Sequence, residues 1–385
     1  MIGRRQLPVS STITARSLMR AVVPALVGGA GEPDALSTEL QTAFGASRVA
    51  LADSGTSALI LALRATTRAG AVVALPAYAC VDIGAAAIFA KLRVRLYDID
   101  PVTLSPDLES VARVLAAGVD AIVVAHLYGY PANGPAVAAL AATHGVSLIE
   151  DAAQGAWGKL LETRLGAFGP LSVLSFGRGK GMTGGGGGAL LGIGASQAAT
   201  IDTARSHLVS PRSGVRTLAL AKALWILGRP WLYAIPSAIP ALHLGETIYH
   251  SAHEPRAITS VSALLVRAAL ARAEADLAVR RRNAEELERA ALRATGLVPI
   301  RAIPGSKPGY LRFPVRVSDA RAVRPELGIV RGYPDTLADL AELRASLIGD
   351  EKVPGARELQ RTLVTLPTHG LLSADDIRDL TNWLG

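Results

Sequence analysis

Short, continuous apolar runs recur along the first half of the chain, at 71–75, 119–125, 146–149 and 171–176. Continuous rather than alternating runs suit strands covered on both faces, as in a parallel sheet between helices. Between them lie Ala/Leu-rich stretches at 57–69, 81–90, 108–117 and 134–144, each long enough for a helix. The alternation predicts an α/β architecture with a mostly parallel central sheet flanked by helices. From 260 to 292 apolar positions recur three and four apart, which predicts one long helix. The tail offers a strand over 311–317, a turn at Gly332-Tyr333-Pro334, and a last helix opened by Ser373 with Asp375 and Asp376 in its first turn.

At 385 residues, half of them hydrophobic, the chain can bury a large domain and a smaller one. Residues 1–32 read as an arm and a short helix, with the Gly-rich stretch from Gly28 to Pro33 as a break. Residues 33–205 form the expected large domain, 206–259 an apolar insert or connector, and 260–385 the long helix with a small C-terminal α/β domain. Within the connector, Val215 to Gly245 is apolar and rich in Trp and Pro. Arg216, Lys222 and Arg229 interrupt it, and Pro230, Pro236 and Pro240 break its second half, so it is no continuous membrane span. Three readings stay open: a buried helical hairpin, a dimer contact, or a surface that rests peripherally on a membrane.

The formal charge of +8 changes little. The arginines are dispersed, and the densest cluster, Arg280-Arg281-Arg282, lies in a helical stretch that reads as a solvated face, so no nucleic-acid partner is expected. The single cysteine, Cys80, rules out an internal disulfide, and no Cys/His spacing suits a metal. The N-terminus has Arg4 and Arg5 but no apolar core of a signal peptide, which favours the cytoplasm.

Candidate chemistry concentrates between Ser147 and Leu191. One apolar run ends in Glu150-Asp151, with Gln154 close behind; the next ends in Ser175-Phe176, with Lys180 in a Gly-rich turn. A carboxylate at one strand end and an amine after the next suit pyridoxal phosphate, whose aldehyde takes a lysine and whose ring nitrogen takes an acid. Ser54-Gly55-Thr56-Ser57 opens a helix, where N–H groups and the helix dipole face an anion; Ser54 also reads as an ordinary N-cap. The spacing Gly179-x-Gly181-x-x-Gly184, with Asp202 further on, imitates a dinucleotide fingerprint. That fingerprint requires a helix next, whereas the glycines here lead into a strand-like Ala-Leu-Leu.

These segments resemble the sugar aminotransferases of the DegT/DnrJ/EryC1/StrS family, which are fold-type-I pyridoxal phosphate enzymes. The matching motifs are SGTSALILAL (54–63), LPAYACV (75–81), YDIDPVTLSPD (97–107), AHLYGYPAN (125–133), IEDAAQ (149–154), SFGRGK (175–180), YLRFPVRV (310–317) and LVTLPTHGLLSADDI (363–377). The resemblance implies that Lys180 forms the Schiff base and shuttles a proton. It implies that Asp151 rather than Glu150 meets the ring nitrogen, and that Gln154 lies by the ring oxygen. Gly55, Thr56, Ser57 and Ser175 are the implied phosphate contacts, and Cys80 occupies the place where many relatives stack an aromatic on the ring. Tyr78 or His126 could supply ring cover instead. A second departure is the stretch His253 to Ser260, where relatives often carry an Asn that reaches the neighbouring subunit's phosphate.

The implied enzyme is a homodimeric aminotransferase. It moves an amino group, with glutamate as the expected donor, to a keto sugar that is expected to be nucleotide-linked. Lys180 argues against the dehydratases of the family, in which histidine replaces the lysine. The alternatives are another pyridoxal phosphate reaction on an unusual or membrane-associated substrate, and a non-catalytic regulator that kept the fold.

Overall fold

The computed structural model describes residues 4–29, 31–237, 248–318 and 323–385. Helices α1 (Ala15–Arg20), α2 (Val22–Val27) and α3 (Gly31–Phe44) precede β1 (Ala46–Ala52), α4 (Gly55–Thr66), β2 (Val72–Pro76), α5 (Val81–Phe89) and β3 (Arg93–Tyr97). Then come α6 (Leu108–Ala116), β4 (Ala121–Ala125), α7 (Gly134–Thr143), β5 (Ser147–Asp151), and the short strands β6 (Lys159–Leu160) and β7 (Thr163–Arg164). β8 (Leu171–Ser175), β9 (Gly188–Ile193), α8 (Ala198–Ser206), α9 (Gly214–Leu227) and α10 (Pro230–Ser237) follow. The remainder holds α11 (Ser260–Leu270), α12 (Ala273–Ala291), β10 (Leu297–Pro299), β11 (Ser306–Lys307), β12 (Phe313–Val317), β13 (Val330–Arg331), α13 (Pro354–Thr362), β14 (Leu363–Leu366) and α14 (Ala374–Leu384).

The central sheet has seven strands in the order β1-β9-β8-β5-β4-β2-β3. The pairs β2/β3, β2/β4, β4/β5 and β5/β8 are parallel, while β9 runs antiparallel to both β8 and β1. Every residue of β2 and β4 is buried, which is why their sequences are apolar without alternation. The crossover helices begin where the side chains dictate. Ser54 caps α4, Asp107 caps α6 and Asn133 caps α7, each accepting a backbone N–H from the first turn.

A second sheet, β10-β12-β14-β13, is antiparallel and packs under α12 and α14. Its core joins Phe313, Val315, Val364 and Leu366 to Leu287 and Leu380. Ser373 opens α14 through a reciprocal cap with Asp376.

The stretch 260–292 is two helices, not one: α11 ends at Leu270 and α12 begins at Ala273. Packing is the reason. α11 commits Val261 and Leu265 to the N-terminal helices, whereas α12 commits Ala284 and Leu287 to the small sheet. The connector is also not a buried hairpin. α9 and α10 meet at Gly228, where a Cβ would lie 2.5 Å from the Leu224 carbonyl oxygen. Val215, Leu220, Ile226, Trp231, Leu232 and Ile235 are exposed. Residues 238–245 of that segment lie outside the described residues. Among the described residues, no helix is long and apolar enough to cross a membrane.

Candidate active site

The chemistry-bearing residues gather where the parallel strands end, the edge at which open α/β sheets place ligands. β5 delivers Asp151 as its last residue, β8 delivers Ser175, and the turn after β8 carries Lys180. β5 and β8 are neighbours, with Asp151 opposite Val173. The sheet register thus brings two separate sequence motifs to one edge.

Glu150 and Asp151 face different surroundings. Glu150 accepts hydrogen bonds from His126 Nε2 (2.9 Å), the N–H groups of Gly166, Phe168 and Gly169 (2.6, 2.8 and 3.1 Å) and the Ser172 hydroxyl (2.7 Å). Burial by itself raises its pKa, but the bonds from His126, Ser172 and Gly166 bring it below the ordinary value. His126 Nδ1 accepts the Ala132 N–H at 3.0 Å, so its proton sits on Nε2 and points to Glu150. Both nitrogens of His126 are therefore engaged in structure.

Asp151 is buried, yet its carboxylate accepts only the Ala153 N–H, at 2.9 Å, among the described residues. Burial raises its pKa, against that hydrogen bond and the positive charge of Lys180. No cation forms an ion pair with it among the described residues. A buried carboxylate short of a cation fits a protonated pyridine nitrogen.

Lys180 lies within electrostatic reach of Asp151 and Cys80. Its turn is tightly seated. A Cβ at Gly181 would meet the Ala156 Cα at 2.6 Å, and the Ser11 hydroxyl of the N-terminal arm donates to the Lys180 carbonyl.

Beside it is a cup built by glycines. β9 sets Gly188 opposite both Ala52 and Ser175, which carries the start of α4 against the end of β8. A Cβ at Gly188 would lie 2.4 Å from the Ser54 carbonyl oxygen, and one at Gly55 would lie 2.7 Å from Ser175 Cβ. Only glycine allows that approach. The first-turn N–H groups of α4 have no carbonyl one turn before them, so this cup suits an anion. Thr56 stands half-buried at its rim. Ser57 is placed differently: it is buried, its N–H meets Ser54 Oγ at 3.0 Å, and its hydroxyl donates to Asp53 at 2.7 Å.

Cys80 caps the start of α5 without a side-chain bond, and burial raises its thiol to about 12. Half-buried by its surface, it is a neutral, compact side chain. Gln154 accepts the Tyr128 N–H at 2.9 Å and donates to the Tyr333 hydroxyl at 2.5 Å. Tyr78 accepts the Tyr333 N–H at 2.9 Å, and the rings of Tyr128 and Tyr333 stack with centroids 5.6 Å apart. Tyr78 is thus part of a buried tyrosine cluster. Sequence reasoning missed Tyr128 and Tyr333 as parts of this site; the Gly332-Tyr333-Pro334 signal marked only a turn. Arg312, whose Nη1 donates to Thr365 Oγ1 at 3.0 Å, closes the cluster from β12's leading edge.

The stretch from His253 runs beside the cup within the same chain. Asp53 N–H donates to the Arg256 carbonyl at 2.8 Å, and Asp53 lies 3.7 Å from His253 Nε2 and 3.5 Å from Arg212 Nε. The glycine run leads into β9, and Asp202 sits on α8 beside Arg48, so the dinucleotide arrangement is absent here.

Residues 30–384 match the pattern of the DegT/DnrJ/EryC1/StrS aminotransferase family. An L-glutamine:2-deoxy-scyllo-inosose aminotransferase from Streptomyces lividus is 30% identical over 364 residues, spanning 87% of this chain and 80% of that protein. A UDP-N-acetyl-3-dehydro-alpha-D-glucosamine 3-aminotransferase from Acidithiobacillus ferrooxidans is 32% identical over 32% of this chain and 34% of its own length. Among solved structures, an E. coli GDP-4-keto-6-deoxy-D-mannose-3-dehydratase with bound hydrated PLP superposes with a TM-score of 0.77 at 17% identity, covering 100% of both chains.

Proposed function

This chain belongs to the DegT/DnrJ/EryC1/StrS aminotransferase family, whose cofactor is pyridoxal phosphate, and we propose that it aminates a keto sugar or keto cyclitol. The observation that carries the reading is the meeting of Asp151, Lys180 and the Gly55–Ser175 cup at one sheet edge.

When bound, pyridoxal phosphate supplies an aldehyde that captures amines and a ring that accepts electrons from the carbon bearing them. Lys180 is the covalent anchor and moves a proton at its Nζ. Asp151 holds the proton on the ring nitrogen. Gly55, Thr56 and Ser175 bind the phosphate, Ser57 stiffens the turn beneath them through Asp53, and Gln154 orients the ring edge. Cys80 covers one ring face as a neutral thiol. The carbon aminated is a ketone carbon in this reading, since relatives are named for a UDP-linked dehydro sugar and for the cyclitol ketone 2-deoxy-scyllo-inosose. The donor is glutamate or glutamine; the Streptomyces lividus relative is named for glutamine. The enzyme works as a homodimer in the cytoplasm.

The test is a half-reaction on the holoenzyme. L-glutamate or L-glutamine is added and the visible cofactor band followed; a nucleotide-linked keto sugar or a keto cyclitol is then added. The reading expects the band to be lost with donor and restored with the ketone, together with an aminated product. Retention of the band with both donors contradicts it.

A further inference from the structure

One face of the molecule combines exposed apolar side chains with cations, and the helices that form it carry no acid of their own. α2 buries only Ala25, and α9 only Leu218 and Ala221, against α11. Their outer sides remain open: Leu26 is 71% exposed, Val27 79%, and Trp231 on α10 73%. Arg16 and Arg20 on the preceding α1, Arg216 and Lys222 on α9, and Arg229 at the joint between α9 and α10 are exposed. No Asp or Glu occurs from residue 4 to 31 or from 203 to 245. α1 and α2 pack on α9, and α10 packs on α9, so these helices form one layer.

A short helix that is apolar on both sides needs a second cover. A second copy of the chain fits poorly. A two-fold contact through this face would place its five cations against the same patch on the partner, whose helices offer no carboxylate to meet them. An anionic bilayer complements both features, since lipid phosphates meet the cations while the acyl boundary takes the apolar groups. Cations also lie over the rings here: Arg229 over Trp225 at 4.9 Å, and Arg4, which pairs with Asp376 at 2.7 Å, over Trp231 at 5.9 Å.

We propose that the face formed by α1, α2, α9 and α10 docks the enzyme on an anionic lipid surface, with its helices lying in the plane of the interface. The arm links this face to the site. Arg5 N–H donates to the Pro230 carbonyl at 3.0 Å at the start of α10, and Ser11 reaches the Lys180 turn. Docking therefore sets the cleft close to the bilayer.

The test uses the holoenzyme with phosphatidylcholine vesicles, with and without phosphatidylglycerol, in a flotation assay. Binding is expected only to the mixed vesicles and should be released when salt rises from about 0.1 M to about 1 M. Arg216→Glu with Lys222→Glu should abolish flotation. Leu220→Ser with Ile235→Ser should weaken it at least severalfold, and both variants should keep the wild-type mass by light scattering and its melting temperature. Absence of flotation of the wild type overturns the proposal, as does equal binding to neutral vesicles. A drop in subunit number in the serine variant, with vesicle binding intact, assigns the face to a second copy and also overturns it.

Discussion

Glu150 and Asp151 are consecutive in β5, yet among the described residues the first carboxylate accepts five hydrogen bonds and the second accepts one. Glu150 ties the turn at Gly166–Gly169 and the base of β8 to His126; Asp151 is left for a ligand. The pair predicts opposite phenotypes. Glu150→Ala leaves three backbone N–H groups, a hydroxyl and His126 without their acceptor, and should cost on the order of 3 kcal/mol or more in urea denaturation. Asp151→Asn should unfold near the wild-type midpoint, retain pyridoxal phosphate, and lose most amino transfer. A stable Glu150→Ala protein, or an active Asp151→Asn one, contradicts this division.

The glycine cup gives a second expectation. Gly55→Ala introduces a Cβ 2.7 Å from Ser175 Cβ, and the strain of such overpacking should weaken pyridoxal phosphate binding by about tenfold or more. Titration of the apo protein with cofactor, followed by absorbance, reads the change. Unaltered affinity places the phosphate elsewhere.

Cys80 should be inert. With its thiol raised to about 12 by burial, its thiolate fraction at pH 8 is roughly 10⁻⁴. Iodoacetamide should leave the native protein unmodified and label it readily in urea. Because Cys80 is the sole cysteine, intact mass is an unambiguous readout. Fast native labelling contradicts the half-buried, neutral assignment.

His369 makes acid stability predictable. Burial lowers its pKa from 6.5 to about 4, while Nε2 meets the Leu7 carbonyl at 2.9 Å. Between those values the unfolded chain binds a proton that the folded chain refuses, so stability falls as pH drops from about 6.5 towards 4. The loss is at most about 3 kcal/mol. Denaturation midpoints across that range should show the slope, and His369→Gln should flatten it. An unchanged slope in the variant rules His369 out as its source.

The strands of the large sheet were legible because burial on both faces writes an unbroken apolar run, as in Val72–Pro76 and Ala121–Ala125. Asp151, Gln154, Ser175 and Lys180 stand in short motifs, so local sequence could nominate them. Contacts made at long range could not be read. Tyr333 reaches Gln154 across 179 positions, and nothing around it signals that meeting. The break between Leu270 and Ala273 carries no Gly or Pro; it exists because the two halves pack on different cores. The buried-hairpin reading of the insert fails for another reason. An apolar pattern states what a helix buries well, not whether anything covers it, and Leu220 and Trp231 are open.

The central claim is that Lys180 anchors the cofactor. The most direct measurement is borohydride reduction of the holoenzyme followed by peptide mapping. The account predicts that the reduced pyridoxyl group is found on the peptide containing Lys180, and that Lys180→Ala acquires none. Labelling of another lysine, such as Lys159 or Lys222, with Lys180 unmodified, contradicts it.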